Sequence, residues 1–232
     1  LLTWGLKLKS LFLLTLTFGT MKYKKVSPPN SGWLEIQLED NVIKGLNGYI
    51  ATAQKKRYNK ELAGNITRSH LMPDKDDWFF NSTLGPAILE YQKVFSPHTV
   101  VPSILTKNHN YILERLWCNF QKRYEFNPVH DHKGVFSFVV FMKIPTDFRK
   151  EHELPFIKDS NNRLASSFSF YYMDILGRLN PHYYHLDKEA EGRMLFFPAA
   201  LKHTVYPFYT STKDRITVAG NISLDSDQPI DT

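Results

Sequence analysis

Two histidines, His130 and His132, stand one residue apart in Asn127-Pro128-Val129-His130-Asp131-His132-Lys133-Gly134, just ahead of an apolar run. On an extended segment residues i and i+2 point to the same face, so both imidazoles can grip one ion. Alone, a His-x-His pair also fits a polar surface turn. A third histidine, His203, follows Phe196-Phe197-Pro198 at a place where one strand ends and another begins. Two local ligands and one remote ligand match the way a sheet protein assembles a metal centre from different strands. Imidazole suits iron, zinc, copper or nickel.

Arg215 is the next chemical group. In Arg215-Ile216-Thr217-Val218-Ala219-Gly220-Asn221-Ile222, alternation puts Arg215, Thr217, Ala219 and Asn221 on one face and Ile216, Val218 and Ile222 on the other. The apolar face packs under helices and the polar face lines a cavity. An arginine in a cavity needs an anion, and guanidinium grips a carboxylate through two parallel hydrogen bonds, with the Thr217 hydroxyl in reach. The plain alternative is a structural ion pair with Asp174 or Asp214.

These residues need a scaffold. The chain has 232 residues, is 42% hydrophobic and 14% aromatic, and contains 17 Phe and 12 Tyr, a composition that leans toward sheet and suffices for one large core. Strand-like runs cover 111–120, 134–144, 167–176, 193–197, 204–209 and 215–223, separated by turn residues. Helical spacing appears over 40–58, through Val42, Ile43, Leu46, Tyr49 and Ile50, with Asp40 or Asn41 as cap. A second helix spans about 81–96, with Pro86 in its first turn and Pro97 ending it. Residues 21–40 read as extended, with Trp33, Leu34, Ile36 and Leu38 near alternation. The pattern predicts an α+β fold, with N-terminal helices on one face of a rolled antiparallel sheet, a sandwich or barrel. No linker divides it. The charged stretch 146–163 reads as a mobile flap, either a lid or a plain connection.

The net charge of +6 is spread among 23 acidic residues. No basic stripe interleaved with aromatics stands out, which argues against nucleic acid as a partner. The single cysteine, Cys118, rules out an intrachain disulfide, fits a reducing compartment, and reads as a packed thiol. Residues 1–20 imitate a signal peptide but lack a small-residue cleavage site. They read as translated upstream sequence ahead of a start at Met21, with residues 21–232 forming one domain. Their apolar run is too short to span a bilayer, so no membrane partner is expected.

The block Gly192-Arg193-Met194-Leu195-Phe196-Phe197-Pro198-Ala199-Ala200-Leu201-Lys202-His203-Thr204-Val205-Tyr206-Pro207, followed by Arg215-Ile216-Thr217 and Asn221, resembles the C-terminal signature of 2-oxoglutarate/Fe(II)-dependent oxygenases. It looks most like an uncharacterised branch found in marine bacteria and cyanophages, within the prolyl-hydroxylase-like superfamily. The stretch from Asn127 to His132 that leads into Phe136–Pro145 resembles that branch as well. The likeness spans about residues 110–223.

The resemblance implies a double-stranded β-helix, a jelly-roll or cupin-like barrel with helices buttressing one side. It implies Fe(II) and 2-oxoglutarate as cofactors, O2 as cosubstrate, and ascorbate as an optional reductant. His130, His132 and His203 fall where the family places its metal ligands, and Arg215, helped by Thr217, where it holds the far carboxylate of 2-oxoglutarate. Most of the superfamily has H-x-D. Here the third triplet residue is His132, so the site is all-histidine or takes Asp131 as the carboxylate. Tyr124, Ser137, Phe138, Tyr172, Asp174 and Asn221 are candidates to line the cavity. The implied activity is hydroxylation of a protein side chain, peptide or small molecule, with release of succinate and CO2, in the cytoplasm (the host's, if the chain is phage-encoded). The alternative is a cupin-like metal-binding or structural barrel without oxygenase activity.

Overall fold

A computed structural model describes residues 24, 30–53, 58–59, 62–95 and 108–230. The expected leader at 1–20 and the helix-ending Pro97 lie outside the described residues. Ten strands form two antiparallel sheets: β1 (Leu34–Gln37), β2 (Ser69–Leu71), β3 (Asn108–Gln121), β4 (Asn127–His130), β5 (Phe136–Lys143), β6 (Ser167–Met173), β7 (Leu179–His185), β8 (Arg193–Pro198), β9 (Lys202–Val205) and β10 (Arg215–Ile230). The larger sheet runs β1-β8-β5-β10-β3-β2 and the smaller β4-β9-β6-β7. Helices α1 (Asp40–Thr52) and α2 (Gly85–Phe95) precede most of the sheet, and a short α3 (Phe148–His152) follows β5.

Period-two alternation on the central strands builds two apolar layers. Phe136, Phe138, Val140 and Met142 of β5, Met194 and Phe196 of β8, and Val218 and Ile222 of β10 cluster with Leu46 of α1 and Ala87, Ile88 and Tyr91 of α2. Val139 and Phe141 of β5 and Leu195 and Phe197 of β8 meet Phe168 and Phe170 of the smaller sheet. β5 is buried on both sides because helices cover one face and the second sheet the other. The expected barrel with helices on one face is therefore what the chain forms.

Several local expectations need correction. The N-cap of α1 is Glu39, with no side-chain bond; Asp40 is already helical, and Asn41 Oδ1 accepts from the adjacent Val42 N at 2.6 Å. A π-helical turn, Phe80–Leu84, precedes α2, which therefore begins at Gly85. β9 stops at Val205, so 206–209 is not strand: Arg215 and Glu151 bind this turn. The stretch 146–163 is not a free flap. Asp147 caps α3 by accepting from Arg149 N at 3.0 Å, and Glu151 is fully buried.

Candidate metal centre and anion pocket

β4 lies beside β9, and the antiparallel register sets His130 directly opposite His203. Their ring centroids are 4.2 Å apart. His132 sits two residues beyond His130, past the end of β4, where its backbone N–H donates to Ala199 O at 2.8 Å. Gly134 makes this turn possible: its φ is +99°, and a Cβ there would come within 2.7 Å of Ile222 O. The His132 ring closes the group, with centroids 5.1 Å from His130 and 5.0 Å from His203. One ligand atom from each of the three lies within 4.8 Å of the others.

Backbone carbonyls fix the tautomers of two of the imidazoles. His130 Nδ1 faces Pro128 O at 2.8 Å, and His203 Nδ1 faces Leu201 O at 2.9 Å. A carbonyl only accepts, so each Nδ1 carries the proton and each Nε2 lone pair is left for a metal. Burial drives all three toward the neutral form. His132 is pushed down to about 4, with His130 adding to the effect. His130 is lowered by burial, and His203 falls well below its ordinary value through burial and then its two neighbours. Asp131 does not join them: it points to the exterior and pairs with Lys202, because adjacent residues face opposite ways.

The same cavity reaches Arg215 and Thr217 and is also lined by Gln121, Asn119, Trp117 and Asn127. Arg215 is fully buried. Its Nη2 donates to Ser166 Oγ at 2.7 Å, and its Nη1 faces Tyr206 O at 3.2 Å and Gln121 Oε1 at 3.4 Å. The Phe208 ring lies under the guanidinium, centroid 4.9 Å from Cζ. Among the described residues no salt bridge joins Arg215 to a carboxylate, and its Nε is buried without a partner. The alternative partners are engaged elsewhere: Asp214 with Arg68 and Asp174 with Arg178. Burial lowers Arg215 to about 9, opposed by the charge of Glu151. It remains a cation at neutral pH and lacks a counter-ion in contact.

Phe138 lines this cavity; the other five candidates, Tyr124, Ser137, Tyr172, Asp174 and Asn221, do not. Tyr124 is 60% exposed in a left-handed turn and packs on Tyr209. Ser137 is buried but donates to Gly220 O and Asn221 Oδ1, so these two side chains satisfy each other. Tyr172 lies at the open end of β6 near Trp33, and Asp174 holds the β6–β7 turn through Leu176 N and Arg178 N. The lining residues not anticipated were the amides. Trp117, Asn119 and Gln121 alternate along β3, which is a usable signal, whereas Asn59 and Gly64 come from a loop that only the fold brings over the cavity.

Two antiparallel sheets closed around a three-histidine cluster define a jelly-roll barrel able to bind a metal ion. Residues 115–221 match the family profile described as "Putative 2OG-Fe(II) oxygenase". The chain is similar to that family over 107 of its 232 residues, the part that carries His130, His132, His203, Arg215 and Thr217. A crystal structure titled as an oxidoreductase of the 2OG-Fe(II) oxygenase family from Burkholderia pseudomallei shares the fold, with a TM-score of 0.52, 11% identity, and coverage of 83% of this chain and 84% of that one. A prolyl-4-hydroxylase from Pseudomonas putida superposes with a TM-score of 0.49 at 11% identity, over 83% of this chain and 92% of that one. No curated protein matches the sequence.

Proposed function

We propose that this chain hydroxylates a C–H bond of its substrate, holding Fe(II) on His130, His132 and His203 and the far carboxylate of 2-oxoglutarate on Arg215 and Thr217. The observation that carries this reading is the buried guanidinium with an orphaned Nε in the same cavity as the histidines. A barrel that only stored a structural metal would have no use for an unmatched buried cation, which is costly until an anion arrives. The donor set fits the metal as well, since three neutral imidazoles, two of them with tautomers fixed by backbone carbonyls, suit a divalent first-row ion.

When bound, iron and 2-oxoglutarate supply the oxidation itself, splitting the keto acid to succinate and CO2 as O2 is consumed. The protein's own part is geometric and electrostatic. Ser166, Tyr206 and Gln121 orient the guanidinium, and the Phe208 ring flanks it. Phe141, Phe168 and Phe197 keep water from the cavity wall. Ascorbate would serve only to keep iron ferrous. The test is succinate release on addition of Fe(II) and 2-oxoglutarate, comparing the wild type with Arg215→Ala. Turnover that depends on Arg215 supports the reading; metal binding with no 2-oxoglutarate uptake in either protein overturns it.

A further inference from the structure

Glu151 is a fully buried carboxylate with no role in either binding site, and burying one demands strong compensation. It is compensated entirely by one turn of chain. Its Oε2 accepts from Tyr209 N at 2.8 Å, and its Oε1 accepts from Thr210 N at 2.9 Å and Thr210 Oγ1 at 2.5 Å. The same turn supplies Arg215 with the Tyr206 carbonyl and the Phe208 ring. The turn is tied on its other sides by Ser166 N to Pro207 O at 2.8 Å, Tyr124 N to Phe208 O at 3.0 Å and Tyr206 N to Ser167 O at 2.8 Å. Ser166, which receives the Arg215 Nη2 hydrogen bond, is itself held in the left-handed region at φ +55° and bonded to Thr146 Oγ1 at 2.9 Å, in the chain leading to α3.

We propose that Glu151 is a positioning residue for the anion pocket: by clamping the 206–210 turn it fixes where the Arg215 guanidinium sits, and it supplies negative charge from one layer behind. This inference rests on the 2-oxoglutarate reading given above. A carboxylate in direct contact would neutralise Arg215 but would occupy the fork that the cosubstrate needs. Behind the turn, Glu151 supports the cation through space and leaves the guanidinium free for the incoming anion. Because the spacing between guanidinium and metal ligands selects diacid length, Glu151 also sets the discrimination between 2-oxoglutarate and its homologue with one more methylene, 2-oxoadipate.

The experiment is calorimetric titration of 2-oxoglutarate and of 2-oxoadipate into Mn(II)-loaded protein, for the wild type, Glu151→Gln, Thr210→Val and Arg215→Ala, with circular dichroism to verify the fold. Glu151→Gln keeps the size but loses the charge and one acceptor, so 2-oxoglutarate binding should weaken about 10-fold. Thr210→Val removes a single clamp bond and should weaken it roughly 3-fold. Both should narrow the preference for 2-oxoglutarate over 2-oxoadipate while leaving Mn(II) affinity unchanged. A merely structural role would lower the melting temperature without moving affinity or preference. Folded Glu151→Gln and Thr210→Val proteins that bind both diacids as the wild type does would overturn the proposal; if only Thr210→Val folds, its unchanged affinity suffices. If Arg215→Ala binds 2-oxoglutarate as well as the wild type, the functional reading itself fails. Loss in Arg215→Ala with none in the clamp variants defeats the clamp alone.

Discussion

Replacing Arg215 with methionine should make the protein more stable without cosubstrate and less stable with it. Burial pulls the guanidinium from its ordinary value down to about 9. At about 1.4 kcal/mol per pKa unit, carrying that charge in the folded state costs at most about 5 kcal/mol. The folded pKa lies below the unfolded one and the penalty falls on the cationic form, so it is fully present below pH 9. It is relieved only as pH rises above about 9 toward the ordinary guanidinium range, where the unfolded chain binds more protons than the folded one. Methionine abolishes the penalty but forfeits the bonds to Ser166, Tyr206 and Gln121, at about 1 kcal/mol each. The balance favours the variant by about 2 kcal/mol, or roughly 4–8 °C in melting temperature for a domain of this size. Saturating 2-oxoglutarate, at about 100 times its dissociation constant, should stabilise the Mn(II)-loaded wild type by about 2.7 kcal/mol and the variant not at all. Thermal unfolding at pH 7.5, with and without 2-oxoglutarate, should therefore show the two proteins exchanging rank. If Arg215→Met melts well below the wild type in the absence of any anion, the guanidinium is a satisfied structural group and the reasoning is refuted.

His203→Ala should abolish stoichiometric Fe(II) or Mn(II) binding, while Asp131→Ala, which breaks only the Lys202 pair, should leave it intact; metal analysis after gel filtration distinguishes them. Metal-free protein should lose stability as pH falls from 6.5 toward 4, because the unfolded chain protonates His132 first; that residue alone accounts for at most about 3 kcal/mol, and His132→Phe should flatten that part of a urea-denaturation profile. Gly134→Ala, forced into φ +99° against Ile222 O, should cost about 1–3 kcal/mol and weaken metal binding by displacing His132, whereas Gly177→Ala, strained but facing open space, should weaken stability without touching the metal.

Much of the site was legible because chemistry and periodicity coincide there. The alternation of Arg215, Thr217 and Ala219 against Val218 and Ile222 reports which face of β10 lines the cavity, and the structure keeps those faces. That His130 and His203 sit on adjacent strands was not legible, since nothing local says that β4 and β9 are neighbours. β7 escaped notice because it is an edge strand with Pro181 in it and most of its side chains exposed, so it carries no apolar alternation. α3 was hidden inside a charged stretch: its one buried side chain is Glu151, which a hydrophobicity pattern reads as surface. Tyr124 and Tyr172 show the opposite error, aromatic rings near the right segment that end up exposed, Tyr124 through its left-handed turn and Tyr172 near the end of β6.

The register that faces His130 with His203 has a mechanical consequence. Among the described residues β4 is the outermost ribbon of its sheet and pairs with β9 alone, the kind of border where amide protons exchange first. An ion gripped from both ribbons would act as a rivet through that hem. Metal-free protein should fray there and admit the ion by opening the border, and loading should appear in hydrogen–deuterium exchange as sudden protection confined to residues 127–132 and 202–205.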